Sequence, residues 1–175
     1  LAALTQALMF GTFGSLWIAL GLHIQSPAFG LTSATVGALG LLGLISAAIA
    51  PRSGSLIDRL GADRVVCGAI VLTIAAWTLL AVFGHTLICL GVGIVMLDVG
   101  ASAAHIAKQT TLFALEPGNR TRMVTVYIVG QYVGGGLLAL LTGIAWAHGG
   151  WTGVCLLGMG TTTLALVVNL RAQRH

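Results

Sequence analysis

Charge is the scarcest resource in this sequence. Its 175 residues include only eight Lys or Arg and four Asp or Glu, 7% in all, where a soluble domain carries about 25%. Hydrophobic residues make up 57%, and the mean hydropathy is +1.01. A water-soluble domain of this size could not cover its surface with so few charges, so the chain belongs in a membrane. The cations are also too dispersed for nucleic acid. Eight of them, separated by apolar runs, give a formal charge of +4 but form no basic face. Acids are too few for a carboxylate metal cluster. His-Glu-x-x-His, Gly-x-Ser-x-Gly and phosphate-loop motifs are absent. No enzyme class, metal or cofactor is expected, since for an intramembrane hydrolase Ser15 or Ser102 beside His105 makes too thin a nucleophile–base pair. The three cysteines, Cys67, Cys89 and Cys155, lie in or beside apolar runs without a Cys-x-x-Cys pair. They read as small apolar side chains rather than a disulfide or metal framework. The chain starts at Leu1 without an initiator Met or leader pattern, and is expected to be part of a longer protein.

What is present is apolar length. About 20 apolar residues span a bilayer as a helix, and six such stretches are expected at about 2–22, 33–53, 65–83, 87–113, 123–146 and 152–170. Pro27, Pro51 and Pro117 fall at or near their ends, where a missing N–H is tolerated or bends the final turn. Between the second and third stretches lies a short charged link, 54–64, with Asp58 and Arg59 between Gly54 and Gly61, and Asp63 and Arg64 just beyond. Arg52, Arg59 and Arg64 flank the second link, Lys108, Arg120 and Arg122 the fourth, and Arg171 and Arg174 the tail. The other links carry no Lys or Arg. By the positive-inside rule both ends of the segment lie in the cytoplasm, in a multi-pass protein of the cell (inner or plasma) membrane.

The link also carries a resemblance. Gly54-x-Leu56-x-Asp58-Arg59-x-Gly61-x-x-Arg64 resembles the signature loop after the second helix of each half in the major facilitator superfamily. It departs from that pattern at Ala62 and Asp63, where the family usually places two basic residues. The run Pro117-x-x-Arg120-x-Arg122-x-x-Thr125-x-Tyr127, with Gly134-Gly135-Gly136 and Gly150-Trp151, is similar to the C-terminal half of drug-efflux-type members. The fold class is therefore an all-α membrane protein, six transmembrane helices forming half of a twelve-helix major facilitator bundle. The resemblance implies a secondary active transporter, a proton antiporter exporting a small organic compound by alternating access. Its partners would be the lipid bilayer, a missing N-terminal half or a second copy, the small-molecule substrate and protons. The residues alone leave open a truncated, non-transporting bundle that acts as a scaffold for other membrane proteins.

Candidate site residues follow from helical periodicity. Asp98 falls mid-span, where an ionised acid costs about 2.5–3.5 kcal/mol on insertion scales. Asp98, Ser102, His105 and Gln109 share an arc of about 60° at 100° per residue. Asp98 and His105 are the candidates for proton coupling, with a structural hydrogen bond as the plain alternative for each. In the first stretch Gln6, Phe10, Phe13 and Trp17 share a similar arc. The resemblance puts the first and fourth helices of a half around a central cavity, which would set these residues opposite Asp98, with Ser102 and Gln109 also lining it. Gly40, Gly43, Ala47, Ala50 and Gly54 form a small-residue face on the second stretch, and Gly130, Gly134, Gly135 and Gly136 another on the fifth, beside Tyr127 and Gln131. Such faces let backbones approach. By resemblance they would pack on the other half, and by the plain reading within this bundle. Asp58 is expected to accept from the free N–H groups near Met123. With Arg120 and Arg122 nearby, the link would then latch one state of the transporter.

Overall fold

A computed structural model describes residues 2–27, 29–113 and 117–173. Six helices account for nearly all of them: α1 Ala2–Gln25, α2 Ser33–Gly40, α3 Gly43–Leu60, α4 Ala62–Phe83, α5 Leu87–Phe113 and α6 Pro117–Ala172. There is no strand among the described residues.

The helix boundaries explain the charged link. Residues 54–60 continue α3 rather than forming a loop, because Leu56, Ile57 and Leu60 keep the helical period. Gly61 alone breaks it, with φ 84° and ψ 149°, a conformation that costs a Cβ-bearing residue about 1–2 kcal/mol. Its N–H still bonds to Ile57 O at 2.8 Å, and α4 starts at the next residue. The expected loop is thus a one-residue corner. On the other side of α3, Leu41 and Leu42 bridge from α2 through i→i+3 hydrogen bonds. Within this bent pair, Ala34–Ile49 and Arg52–Leu60 meet at 47°, with Pro51, which has no N–H to donate, at the bend.

Helix α6 reverses on itself. As a straight rod its 56 residues would be about 80 Å long, more than twice a hydrocarbon core. Gly150 interrupts it with φ 55° and ψ −141°, and a Cβ added at Gly153 would collide with Ala145 O. Helical geometry extends through Gly149, so the turn expected at 148–150 is confined to one residue. Consequently Tyr127 and Asn169, 42 positions apart, both bond to neighbouring turns of α5, at His105 and Lys108.

Close contacts fix how the arms lie. The first arm of α6 runs parallel to α1, with Gly130 on Ala3, Gly134 on Ala7, Leu138 on Gly11 and Thr142 on Ser15. Every pairing advances four residues on both chains, so the two i+4 ridges share one seam of small side chains. Thr142 Oγ1 donates to Ser15 Oγ across it at 2.7 Å. The second arm runs antiparallel to α4, with Gly158 against the Trp77 indole, Asn169 on Cys67 and Gln173 on the Asp63 carbonyl. Helices α4 and α5 form a hairpin in which Gly93 meets Leu80 and Gly100 meets Thr73. Trp77 is fully buried where α1, α4 and α6 converge, and its Nε1 donates to Thr12 Oγ1 at 2.9 Å.

The exterior is apolar. Leu140 is 69% exposed and Ile88 80%, with Leu44, Tyr132 and Val133 similarly open. A continuous apolar outside needs a lipid solvent. Among the described residues, Ala2–Gln25, Ala62–Phe83, Leu87–Leu112 and Thr121–Ala172 are long and apolar enough to cross a membrane, and the bent α2–α3 pair makes a fifth. The protein is an all-α membrane protein.

Candidate functional site

A cavity of about 190 Å3 opens between α1, α5 and the first arm of α6, lined by Gln6, Phe10, Phe13, Ser102, His105 and Gln131, with Ala101 at its edge. Its position follows from the packing. Small residues draw α6 onto α1 along the Ala3–Gly134 side, and the larger Phe10 and Phe13 point past that seam into the gap. Phe10 meets Tyr132 edge-on with centroids 5.4 Å apart, and Phe13 meets Trp17 at 6.3 Å.

His105 is the centre of the polar groups. Gln6 Nε2 lies 3.1 Å and Tyr127 Oη 3.3 Å from its Nδ1, and Gln109 Nε2 lies 3.0 Å from its Nε2. A neutral imidazole has one N–H and one lone pair. Only one of the two glutamines can therefore donate to it through an NH2 group, and the other must present its carbonyl. With an imidazolium, both ring nitrogens donate, and both glutamines must turn their oxygens inward. The amides can meet the hydrogen-bonding pattern of either state by rotating half a turn. Gln6 Oε1 is buried without a hydrogen-bond partner, which leaves one acceptor at the cavity wall unused.

Asp98 does not line this cavity. It is buried against α3, where a Cβ at Gly43 would stand 3.6 Å from its Oδ2. Ser46, one turn further along α3, is buried too, and its hydroxyl faces the Asp98 carboxyl at more than ordinary hydrogen-bond distance. The polar stripe on α5 is therefore split: its first residue serves the α3–α5 interface and its later residues serve the cavity. Gln109 reaches the cavity only through His105, and Trp17 packs into the apolar cluster around Leu16 and Trp77 instead of the cavity wall.

The remaining expectations divide similarly. Gly43, Gly130 and Gly134 sit at close helix contacts, but Gly40 and Gly54 have no heavy atom within 4 Å of where a Cβ would stand. Gly130 and Gly134 face α1 of this same bundle, the plainer of the two readings. Among the described residues no hydrogen bond links Asp58 to Met123. Both residues are exposed. Arg59, Arg64 and Arg122 are exposed, and the Arg120 side chain lies outside the described residues. Lys108, expected at the membrane surface, is instead buried, with its Nζ donating to Asn169 Oδ1 at 2.8 Å. Asn169 in turn reaches Cys67 Sγ. The sequence signal for this pair was weak: Lys108 stands one turn inside an apolar run and Asn169 lies alone in another. At the opposite end His23 stacks on Trp151 with centroids 4.0 Å apart and bonds to Gly84 O, a clasp that periodicity did not reveal. No group of three potential metal ligands occurs among the described residues.

Taken together, these features define a polytopic helical membrane bundle with a partly open cavity of aromatic and amide side chains. Residues 2–174 match the family model described as Major Facilitator Superfamily, and the chain belongs to that family. It is similar to "Probable transporter SCO4007" of Streptomyces coelicolor, 35% identical over 155 residues, covering 88% of this chain and 36% of that protein. It is also similar to "Putative uncharacterized transporter YgaY" of Escherichia coli, 33% identical over 167 residues, covering 94% of this chain and 41% of that protein. A Buchnera aphidicola "Uncharacterized transporter" is 23% identical over 168 residues. The chain thus spans about two fifths of the length of these curated relatives.

Proposed function

We propose that this chain is one half of a secondary active transporter that exports a small amphipathic organic compound in exchange for protons. It crosses the membrane six times: through α1, the bent α2–α3 pair, α4, α5 and the two arms of α6, with its cations on the cytoplasmic side. The observation that supports this reading best is the cavity. It presents aromatic faces together with amide, hydroxyl and imidazole groups, suited to an apolar body with a few polar atoms. One bundle supplies one wall. A second bundle, the other half of the protein or a second copy, closes it, and rocking of the two against each other exposes the cavity to alternate sides.

Two groups divide the work. His105, with Gln6, Gln109 and Tyr127 around it, binds the polar end of the substrate. Asp98 takes up and releases the proton at the α3–α5 interface, where its buried carboxylate has the Ser46 hydroxyl as the donor beside it and little water, so ionisation draws in water or parts the helices. Proton loss therefore loosens α3 from α5, and α3 is among the less tightly enclosed elements of the bundle.

The test uses the complete protein in everted vesicles carrying a proton gradient, challenged with a panel of amphipathic compounds. At least one compound should dissipate the gradient in the wild type, and Asp98→Asn should abolish that response while still binding the compound. Dissipation that persists unchanged in Asp98→Asn would remove Asp98 from coupling. No response to any compound, with a well-inserted wild type, would count against proton exchange.

A further inference from the structure

A second concavity, larger than the cavity, lies between the end of α3 and the start of α4. Its volume is about 720 Å3. Arg52 and Arg59 line it from α3 and Arg64 from α4. Arg52 and Arg59 are seven residues apart, so they share one helix face about 10 Å apart along the axis. Gly61 turns the chain sharply enough to bring Arg64 to the same groove. The two acids of the segment, Asp58 and Asp63, are not among the lining residues. Three arginines thus line one space that neither acid lines. The rest of the groove is largely apolar, lined by Ile49, Leu72, Val99 and Ala103 together with Leu56 and Leu60, which are nearly half exposed.

We propose that this groove holds an anionic phospholipid, its phosphate among the three arginines and the upper part of an acyl chain along the apolar floor. Guanidinium groups bind phosphate oxygens bidentately, and basic pockets between membrane helices select anionic headgroups. A free phosphate would satisfy the arginines but leave the apolar half of the groove unfilled, so the lipid is the better match. The site is separate from the cavity and does not depend on which substrate the cavity takes. Because it bridges α3 and α4 across the Gly61 corner, an occupied groove fixes the angle between them.

The experiment is thermal unfolding of the complete protein in a neutral detergent, titrated with short-chain phosphatidylglycerol, short-chain phosphatidylcholine or inorganic phosphate. Phosphatidylglycerol should raise the unfolding temperature saturably and phosphatidylcholine should not. Combining Arg52→Gln, Arg59→Gln and Arg64→Gln should weaken the apparent affinity by about tenfold or more. If that variant inserts poorly, the matching triple Arg→Lys variant decides: it keeps the charge but loses the bidentate fork, and should weaken binding by about threefold. Equal responses to the two lipids would overturn the proposal, as would an unchanged affinity in the variants. An equal saturable shift with inorganic phosphate would show an anion site and not a lipid site, and would overturn it as well.

Discussion

The seam between α1 and α6 makes a sharp prediction, because three glycines of one helix stand in three different environments. At Gly134 an added Cβ would lie at contact with Ala7, 3.1 Å from its Cα and 3.3 Å from its carbonyl carbon. These are backbone atoms, and no flexible side chain can swing away. At Gly130 the nearest atom would be Ala3 Cβ at 3.6 Å, an ordinary van der Waals contact, and at Gly136 nothing lies within 4 Å. Replacing a helical glycine by alanine gains about 0.8–1 kcal/mol of backbone propensity. Overpacking of a tight contact costs about 1–3 kcal/mol. Gly136→Ala should therefore stabilise by about 0.5–1 kcal/mol and Gly130→Ala by a similar or smaller amount. Gly134→Ala should destabilise by up to about 2 kcal/mol, since the new Cβ would stand 2.5 Å from Ala7 Cβ and the helices must separate by about 1 Å to admit it. Adding Ala7→Gly to Gly134→Ala should recover only part of the loss, because the Ala7 backbone contacts stay. Thermal unfolding in detergent orders the four variants. If Gly134→Ala and Gly136→Ala unfold together, the parallel i+4 seam is wrong.

Other contacts give shorter tests by the same measurement. Gly150→Ala meets no steric neighbour but needs φ of 55°, so it should lose about 1–2 kcal/mol, while Gly149→Ala should be near neutral. Thr12→Val strands the buried Trp77 N–H and should cost about 1–3 kcal/mol; combined with Trp77→Phe, the loss should be less than the sum of the two. Asn169→Leu leaves the Lys108 ammonium buried without its acceptor and should cost about 2–3 kcal/mol, whereas Lys108→Met with Asn169→Leu should recover most of that. A double variant as unstable as Asn169→Leu alone would show that the pair is not what holds that corner. Replacement of His105 by Gln should weaken substrate binding by the complete protein and also cost about 1–3 kcal/mol of stability, because the buried Tyr127 hydroxyl and Gln6 amide lose their shared partner.

Much of the fold was legible because lipid imposes a simple rule. Every backbone group must be bonded within the chain, so apolar length alone gives helices, and the one at Leu87–Phe113 coincides with the stretch expected from the sequence. Helix ends were less legible. A run such as Leu56-Ile57-Asp58-Arg59-Leu60 is charged enough to resemble a loop, but its apolar residues keep a 3.6 period and it remains helical to Gly61. The same holds at His148-Gly149, where helix continues until a single glycine takes a positive φ. Two glycines side by side do not say which one turns.

The site shows where periodicity stops being informative. Asp98 and His105 are seven residues apart and so differ by only about 20° around α5, which made them look like parts of one stripe and one cavity. They also differ by about 10 Å along the axis. Packed helices cross at an angle, so at that distance a single face of α5 changes neighbours. At Asp98 it faces Gly43 and Ser46 of α3, and at His105 it meets Gln6 of α1 and Tyr127 of α6. An angle on a helical wheel specifies a direction but not a depth, and in a bundle the depth decides which partner a polar side chain finds. That also explains why Gln131 and Tyr127, which the sequence placed beside a packing face, complete the cavity and its hydrogen bonds. They lie one turn apart on the arm that α1's small residues pull close, at the depth of His105. Locating the chemistry of such a bundle from its sequence therefore requires the register between helices, and here the clue to register was the spacing of Ala3, Ala7 and Gly11 against Gly130, Gly134 and Leu138.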